Sequence, residues 1–361
     1  MRLRIGPARA AGGRWLSVLV IGLLATATAC GSSGDDGGGA DGKASTLRLG
    51  YFPNVTHAVP LVGVAKGFYA QQLGGTKLET QTFNAGPAEV EALLAGNLDA
   101  GYLGPNPAVN AYAKTKGEAI RIIAGAASGG ASLVVKPSIA SAADLRGKRI
   151  ASPQLGNTQD VALRSWLTKN GLTPSSQGVE GDVQVEPTDN ATTLTLFQQG
   201  KLDGAWVPEP WASRLVLDGG GKVLVDEKTL WPGGRFVTTH LIVRTEFLEK
   251  YPETVKALLA GQVQTVDWIG RNEAEAKTTV NAELKRITTK SLATAVLDRA
   301  WGNFEVTNDP VAASLKKSAD DAIAAGLLKR VDLKGIYDLT LLRQVLAGKG
   351  GTIDDAGLAA G

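Results

Sequence analysis

The strongest constraint in this chain is a stretch that occurs twice. Residues 86–108 read GPAEVEALLAGNLDAGYLGPNPA, and from Phe197 the chain reads FQQGKLDGAWVPEPW. At a constant offset Gly96 falls on Gly200, Leu98 on Leu202, Asp99 on Asp203, Tyr102 on Trp206, Leu103 on Val207 and Pro105 on Glu209. In the first copy, Pro87 suits a first helical turn, Glu89 and Glu91 sit where the helix dipole favours carboxylates, and Val90, Leu93 and Leu94 repeat at helical spacing. Gly96 can then end the helix in a left-handed cap, residues 100–103 read as a buried strand, and Gly104-Pro105-Asn106-Pro107 opens another helix. Two copies of helix, strand and helix imply two similar α/β lobes with a cleft between them. In open α/β sheets ligands sit beyond the carboxyl ends of the strands, where helix N-termini suit anions.

The N-terminus stands apart. Arg2, Arg4, Arg9 and Arg14 precede an apolar run from Trp15 to Ala29, the layout of a secretory signal over residues 1–29. The run is shorter than the ~20 residues of a membrane span. Cys30 follows, and Ala27-Thr28-Ala29-Cys30 resembles a bacterial lipobox, with Ala27 where Leu is more usual; Cys30 is the expected lipidation site. It is also the chain's one cysteine, which excludes an internal disulfide and, once lipidated, a catalytic thiol. Removing the four signal arginines from the formal charge of +3 leaves about −1, so nucleic-acid binding has no electrostatic support. Residues 30–45 form a Gly/Ser/Asp-rich tether. Its Gly37-x-Gly39-x-x-Gly42 mimics a dinucleotide fingerprint, but with no strand before it and no helix after it no cofactor is expected.

In order along the chain, strands are expected at residues 46–51, 77–83 and 119–125, with a helix running through Ala70 and small, hinge-like residues at 126–131. The second lobe then alternates strands at 132–136, 148–152, 183–186, 203–207 and 222–225 with helices after Gly156, over 190–199 and over 208–217. Residues 235–243 read as a returning crossover strand, and nearly everything after Glu246 reads as helix packed on the first lobe. The expected domains are 46–131 with 235–361, and 132–234.

Catalytic sets are missing from the pattern. The two histidines, His57 and His240, are far apart in sequence, and no nucleophile elbow, P-loop or zinc motif occurs, so neither an enzyme nor a metal site is expected. Candidate ligand contacts lie where strands end: Asn54, Thr56 and His57 in one loop, Asn106 at a helix start, Ser128 near the crossover, and Asn157, Thr158 and Gln159 before the second-lobe helix. Backbone N–H groups there can hold an anion, Glu209 can hold an ammonium group or compensate its own helix dipole, and Trp211 can pack on a cation or alkyl chain. Trp206 and His240 read as core residues.

Four segments carry a family resemblance: LRLGYFPNVTHAVPLVGVAKGFYA, FNAGPAEVEALLAGNLDAGYLGPNPA, SAADLRGKRIASPQLGNTQDVALRSWL and GKLDGAWVPEPWASRLV. Together they look like the solute-binding components of ABC importers of the nitrate/sulfonate/taurine type. The resemblance implies a two-lobed type II periplasmic-binding-protein fold with two crossover strands and a helical C-terminal region. It implies hinge closure on one small solute, delivery to a membrane permease with its ATPase, and a lipid-anchored monomer on the outer face of the cytoplasmic membrane. Many relatives have Asp in a W-D-P run where this chain has Val207-Pro208-Glu209-Pro210. Aliphatic sulfonates such as taurine are the first expectation, with nitrate, bicarbonate or thiamine-precursor pyrimidines as alternatives and an enzyme on the same fold as the competing class.

Overall fold

A computed structural model describes residues 42–175, 179–347 and 353–359, all within one compact unit, Gly37–Gly361. The signal segment, Cys30 and the start of the tether lie outside the described residues. The first lobe runs β1 (Thr46–Tyr51), α1 (Ala58–Ala65), α2 (Phe68–Leu73), β2 (Lys77–Thr82), α3 (Gly86–Leu94), β3 (Ala100–Leu103), α4 (Pro105–Lys114) and β4 (Ile120–Gly129). The second runs β5 (Ala131–Val135), β6 (Arg149–Ser152), α5 (Thr158–Lys169), β7 (Gln184–Pro187), α6 (Asn190–Gln198), β8 (Gly204–Pro208), α7 (Trp211–Leu217) and β9 (Lys222–Asp226). The chain returns through β10 (Val237–Arg244) and continues with α8 (Thr245–Lys250), α9 (Pro252–Arg271), α10 (Glu273–Thr288), α11 (Thr294–Trp301), β11 (Phe304–Val306), α12 (Ala313–Ala324) and α13 (Thr340–Leu346).

The strands form two sheets, β11-β4-β10-β3-β1-β2 and β7-β6-β8-β5-β9. Each has a parallel trio followed by an antiparallel strand: β1 pairs in parallel with β2 and β3, and β6 with β7 and β8. The duplication is visible residue by residue. Gly96 and Gly200 have φ of 75° and 74°, the left-handed conformation that ends α3 and α6. Asp99 and Asp203 do one job twice. The backbone N–H of Arg48 donates to Asp99 Oδ2 at 2.9 Å, and that of Arg149 donates to Asp203 Oδ2 at 3.0 Å. The aspartate N–H groups return the bond to the Arg48 and Arg149 carbonyls at 2.9 and 2.8 Å. Each aspartate thus fastens the last strand of its parallel trio to the start of the first, while Leu98 and Leu202 are buried beside it.

In the second sheet successive residues point to opposite faces. Leu133, Val135, Ile150 and Trp206 belong to one core cluster, and Val134, Ala151, Ala205 and Val207 to another. One larger cluster fills the first lobe and takes in side chains from α9 to α13.

Several sequence expectations need correction. The first helix does not run unbroken through Ala70; Gly67, at φ 71°, separates α1 from α2. Residues 126–129 are not loose hinge but buried strand, and the crossing between sheets is confined to Gly129 and Gly130, both at positive φ. Pro208 ends β8 opposite Ala131, and the next N–H, on Glu209, still bonds the Gly130 carbonyl at 2.8 Å, so α7 starts at Trp211 rather than Pro208. The C-terminal region contains β11, which pairs with β4. Its helices do not pack on the first lobe alone: α11 lies against α7 and α12 against α5.

Candidate functional site

Where the two lobes meet, a small cavity opens, with about 20 Å³ of space for the centre of a water-sized guest. Its first-lobe wall is Phe52, Asn54, Thr56, His57, Asn84 and Gly104, joined by Thr238 and Thr239 from β10. Its second-lobe wall is Asn157, Thr158, Gln159, Asn190 and Pro208. None of these residues carries a fixed charge. Four helices begin at this wall: α1 follows His57, α4 follows Gly104, and α5 and α6 start at Thr158 and Asn190. Their aligned peptide dipoles bring partial positive charge to the cavity. No side chain caps α1, α4 or α5, whereas α6 is capped by Asp189.

Neutral donors and acceptors complete the lining. The N–H of Phe52 donates to His57 Nδ1 at 3.2 Å, which assigns the proton of the neutral ring to Nε2. Burial pushes the His57 pKa down to about 3, so His57 stays an uncharged donor. Its ring lies 4.3 Å from that of Phe52. Asn157 Nδ2 donates to Gln159 Oε1 at 3.1 Å, and Thr239 Oγ1 donates to the Thr56 carbonyl at 3.2 Å. Thr158 Oγ1 and Asn190 Oδ1 are buried without a hydrogen-bond partner. Buried polar atoms are rarely left unpaired, so these two mark where a guest can bond.

Asn54, Thr56, His57, Asn157, Thr158 and Gln159, six of the expected contacts, are therefore gathered at one cavity. The other four are elsewhere. Asn106 Nδ2 donates to the Ser318 carbonyl at 2.9 Å, turning toward α12. Ser128 lies within β4, paired to β10 and β11. Glu209 is buried and occupied: Ser213 N and Oγ donate to its two oxygens at 3.0 Å each, and Asn303 Nδ2 donates to Oε1 at 2.6 Å. Burial raises its pKa, and its carboxylate does not line the cavity. Trp211 touches the site through another residue, its Nε1 donating to Asn54 Oδ1 at 2.9 Å across the lobes. Trp206 is core, with Nε1 donating to Glu227 Oε2 at 2.8 Å, and His240 is buried in β10 with Nε2 against the Pro310 carbonyl at 3.0 Å.

The sequence reading missed Phe52, Asn84, Gly104, Asn190, Pro208, Thr238 and Thr239. Three of these carried a usable signal. Asn190 stands at the same offset from Gly86 as Gly200 from Gly96, so extending the repeat upstream reaches it. Thr238 and Thr239 are a polar pair inside a strand otherwise built for burial.

Comparison with known proteins decides the family. A model described as the NMT1-like family matches residues 40–282, about two thirds of the chain. The chain belongs to the NMT1-like family. Among individual proteins, the taurine-binding periplasmic protein of Escherichia coli K12 is 32% identical over 199 residues, 54% of this chain and 58% of that protein. The chain thus spans little more than half the length of that relative. A putative aliphatic sulfonates-binding protein of Bacillus subtilis 168 is 25% identical over 338 residues, 91% of this chain and 95% of the relative. The alkanesulfonate-binding protein SsuA from Xanthomonas axonopodis pv. citri, solved bound to MOPS, superposes with a TM-score of 0.65 at 24% identity, covering 80% of this chain and 96% of its own. The periplasmic nitrate-binding protein NrtA of Synechocystis PCC 6803 does so at 0.71 and 18% identity, covering 84% and 88%. These two likenesses establish that this NMT1-like chain has the two-lobed periplasmic-binding-protein fold.

Proposed function

We propose that the chain is the extracytoplasmic solute-binding component of an ABC importer. It captures a small anionic or zwitterionic solute between its lobes and hands it to a membrane permease and, through it, to the ATPase. One observation carries this reading: the interlobe cavity has no fixed charge, is ringed by helix N-termini and neutral donors, and holds two unpartnered polar atoms. Such a wall stabilises an anion without locking it into a salt bridge, which suits a protein that must release its cargo. The relatives' names, which include taurine, aliphatic sulfonates and nitrate, support an aliphatic sulfonate as the first choice, with nitrate, bicarbonate or a pyrimidine behind. If the solute carries an amine, Asn190 Oδ1 offers it an unpartnered acceptor at the cavity, whereas Glu209 is already occupied. No nucleophile and base are paired at the cavity, and the named relatives are binding proteins; both favour carriage over turnover.

Closure is ligand-selected bending about Gly129–Gly130 and the return segment before β10. Lipidation at Cys30 tethers a monomer to the outer face of the membrane. The test is a thermal-shift screen of the protein against taurine, ethanesulfonate, nitrate, bicarbonate and pyrimidines. A true solute at ~100 times its dissociation constant adds about 2.7 kcal/mol of stability. A shift with one anion class supports the reading; shifts only with pyrimidines or other neutral compounds overturn the anion assignment.

A further inference from the structure

The second-lobe wall rests on a buried ion pair that the binding reading does not use. Asp160 is the third residue of α5, two positions beyond Thr158, and it is fully buried. Ser152 Oγ donates to its Oδ1 at 2.7 Å, and the N–H of Gly156 donates to its Oδ2 at 3.0 Å. These two bonds close the turn between β6 and α5, where Gly156 takes φ 75°, and so set the position of Asn157, Thr158 and Gln159. A carboxylate in the first turn of a helix also consumes the positive end of the dipole. An anion at this N-terminus would meet that charge. Arg164, one turn further on and itself 3% exposed, meets the carboxylate with Nε 3.1 Å from both oxygens, while its Nη1 donates to the Ser175 carbonyl at 2.6 Å.

We infer that the Asp160–Arg164 pair is the positioning device of the anion site: Asp160 ties the loop that presents Asn157 to Gln159, and Arg164 cancels its charge so that the start of α5 still attracts an anion. This rests on the anion reading above. Charged groups on the elements packed against α5 are engaged elsewhere. On α12, Asp321 accepts from Lys169 and Lys317 and Asp320 from Lys316; on β6, Arg149 binds Glu186; Lys114 lies at the far end of α4, and β8 has no charged side chain. His57, in the cavity, titrates near 3, below the range used in the test.

The test is calorimetric titration of the protein with taurine, ethanesulfonate and nitrate between pH 5 and 8, for wild type, Arg164→Gln, Asp160→Asn and the double variant. Wild-type affinity should be flat with pH. Arg164→Gln leaves a buried carboxylate unpaired beside the anion, so affinity should fall about tenfold or more at pH 8. It should recover toward pH 5, because burial without a partner favours the neutral acid. The double variant should be flat and within a few-fold of wild type. Asp160→Asn keeps one of the two loop bonds through its amide oxygen and leaves Arg164 uncompensated, so it should bind these anions at least as tightly as wild type; it carries the test if Arg164→Gln fails to fold. A pH-independent loss in Arg164→Gln, a double variant as weak as the single, or a folded Asp160→Asn with weakened binding assigns the pair a structural role only. A wild type that binds none of the three anions refutes the anion reading itself and this inference with it.

Discussion

Gly104 packs against Thr158 of the other lobe, and replacing it with alanine drives a wedge between them. Its backbone, at φ −75° and ψ 166°, accepts any residue, so the change brings no backbone strain. A Cβ there would lie 2.2 Å from Thr158 Oγ1 and 3.2 Å from Thr158 Cβ, against an ordinary contact of at least 3.4 Å. Rotating Thr158 removes the first clash and not the second. The lobes must therefore part or repack, and overpacking of this kind costs about 1–3 kcal/mol. If the lobes of the free protein open as proposed, the wedge is met only on closing, and the dissociation constant should rise about 5- to 150-fold. Stability of the free protein should fall by less than about 1 kcal/mol, the difference between Gly and Ala at a helix N-cap. Calorimetry with the solute found in the screen, together with thermal melts of the free protein, reads both quantities. In a Thr158→Gly background, which removes both Oγ1 and Cβ, the same substitution should cost little further affinity. Equal losses in both backgrounds, or no loss in either, would refute closure of Gly104 onto Thr158.

Further outcomes follow from particular residues. Glu209→Gln removes an acceptor from three donors and should cost about 1–3 kcal/mol of stability. It should change taurine and ethanesulfonate affinities by the same factor, and a selective loss of taurine in calorimetry would put Glu209 on the ligand. Glu227, buried under Trp206 and Trp231, has its pKa raised by burial to about 7 from 4.5. Since the folded state holds this proton more tightly, its contribution is fully present below about pH 4.5 and lost as pH rises through about 7, a change of about 3 kcal/mol. Urea unfolding across that range should show the slope in wild type and its loss in Glu227→Gln. Cys30→Ser should release the protein from membranes and abolish uptake while binding by purified protein is unchanged; uptake that survives contradicts the tethered-importer reading.

What was legible in the sequence was what local chemistry repeats. The Gly-x-Leu-Asp turn reads correctly because its aspartate and left-handed glycine make the same bonds in both lobes, and the strand after each follows from it. Features made by distant partners were not legible. The three residues of β11 are a strand because β4 lies beside them, and the break at Gly67 interrupts an apolar pattern that reads as continuous helix. The same division holds at the site. Loop residues at strand ends, Asn54 to His57 and Asn157 to Gln159, could be placed from order alone. Glu209 could not, because its fate was decided by Ser213 one helical turn on and by Asn303 from the C-terminal region. Asn190 lay hidden as the second-copy counterpart of a glycine.

An interlobe cavity that takes an anion should not tolerate a negative charge introduced at Asn190. Calorimetry should show one-to-one binding of a sulfonate or a related anion by the wild type and its loss in Asn190→Asp, which places a carboxylate in a wall that has none. Undiminished anion binding in a folded Asn190→Asp protein would contradict the claim.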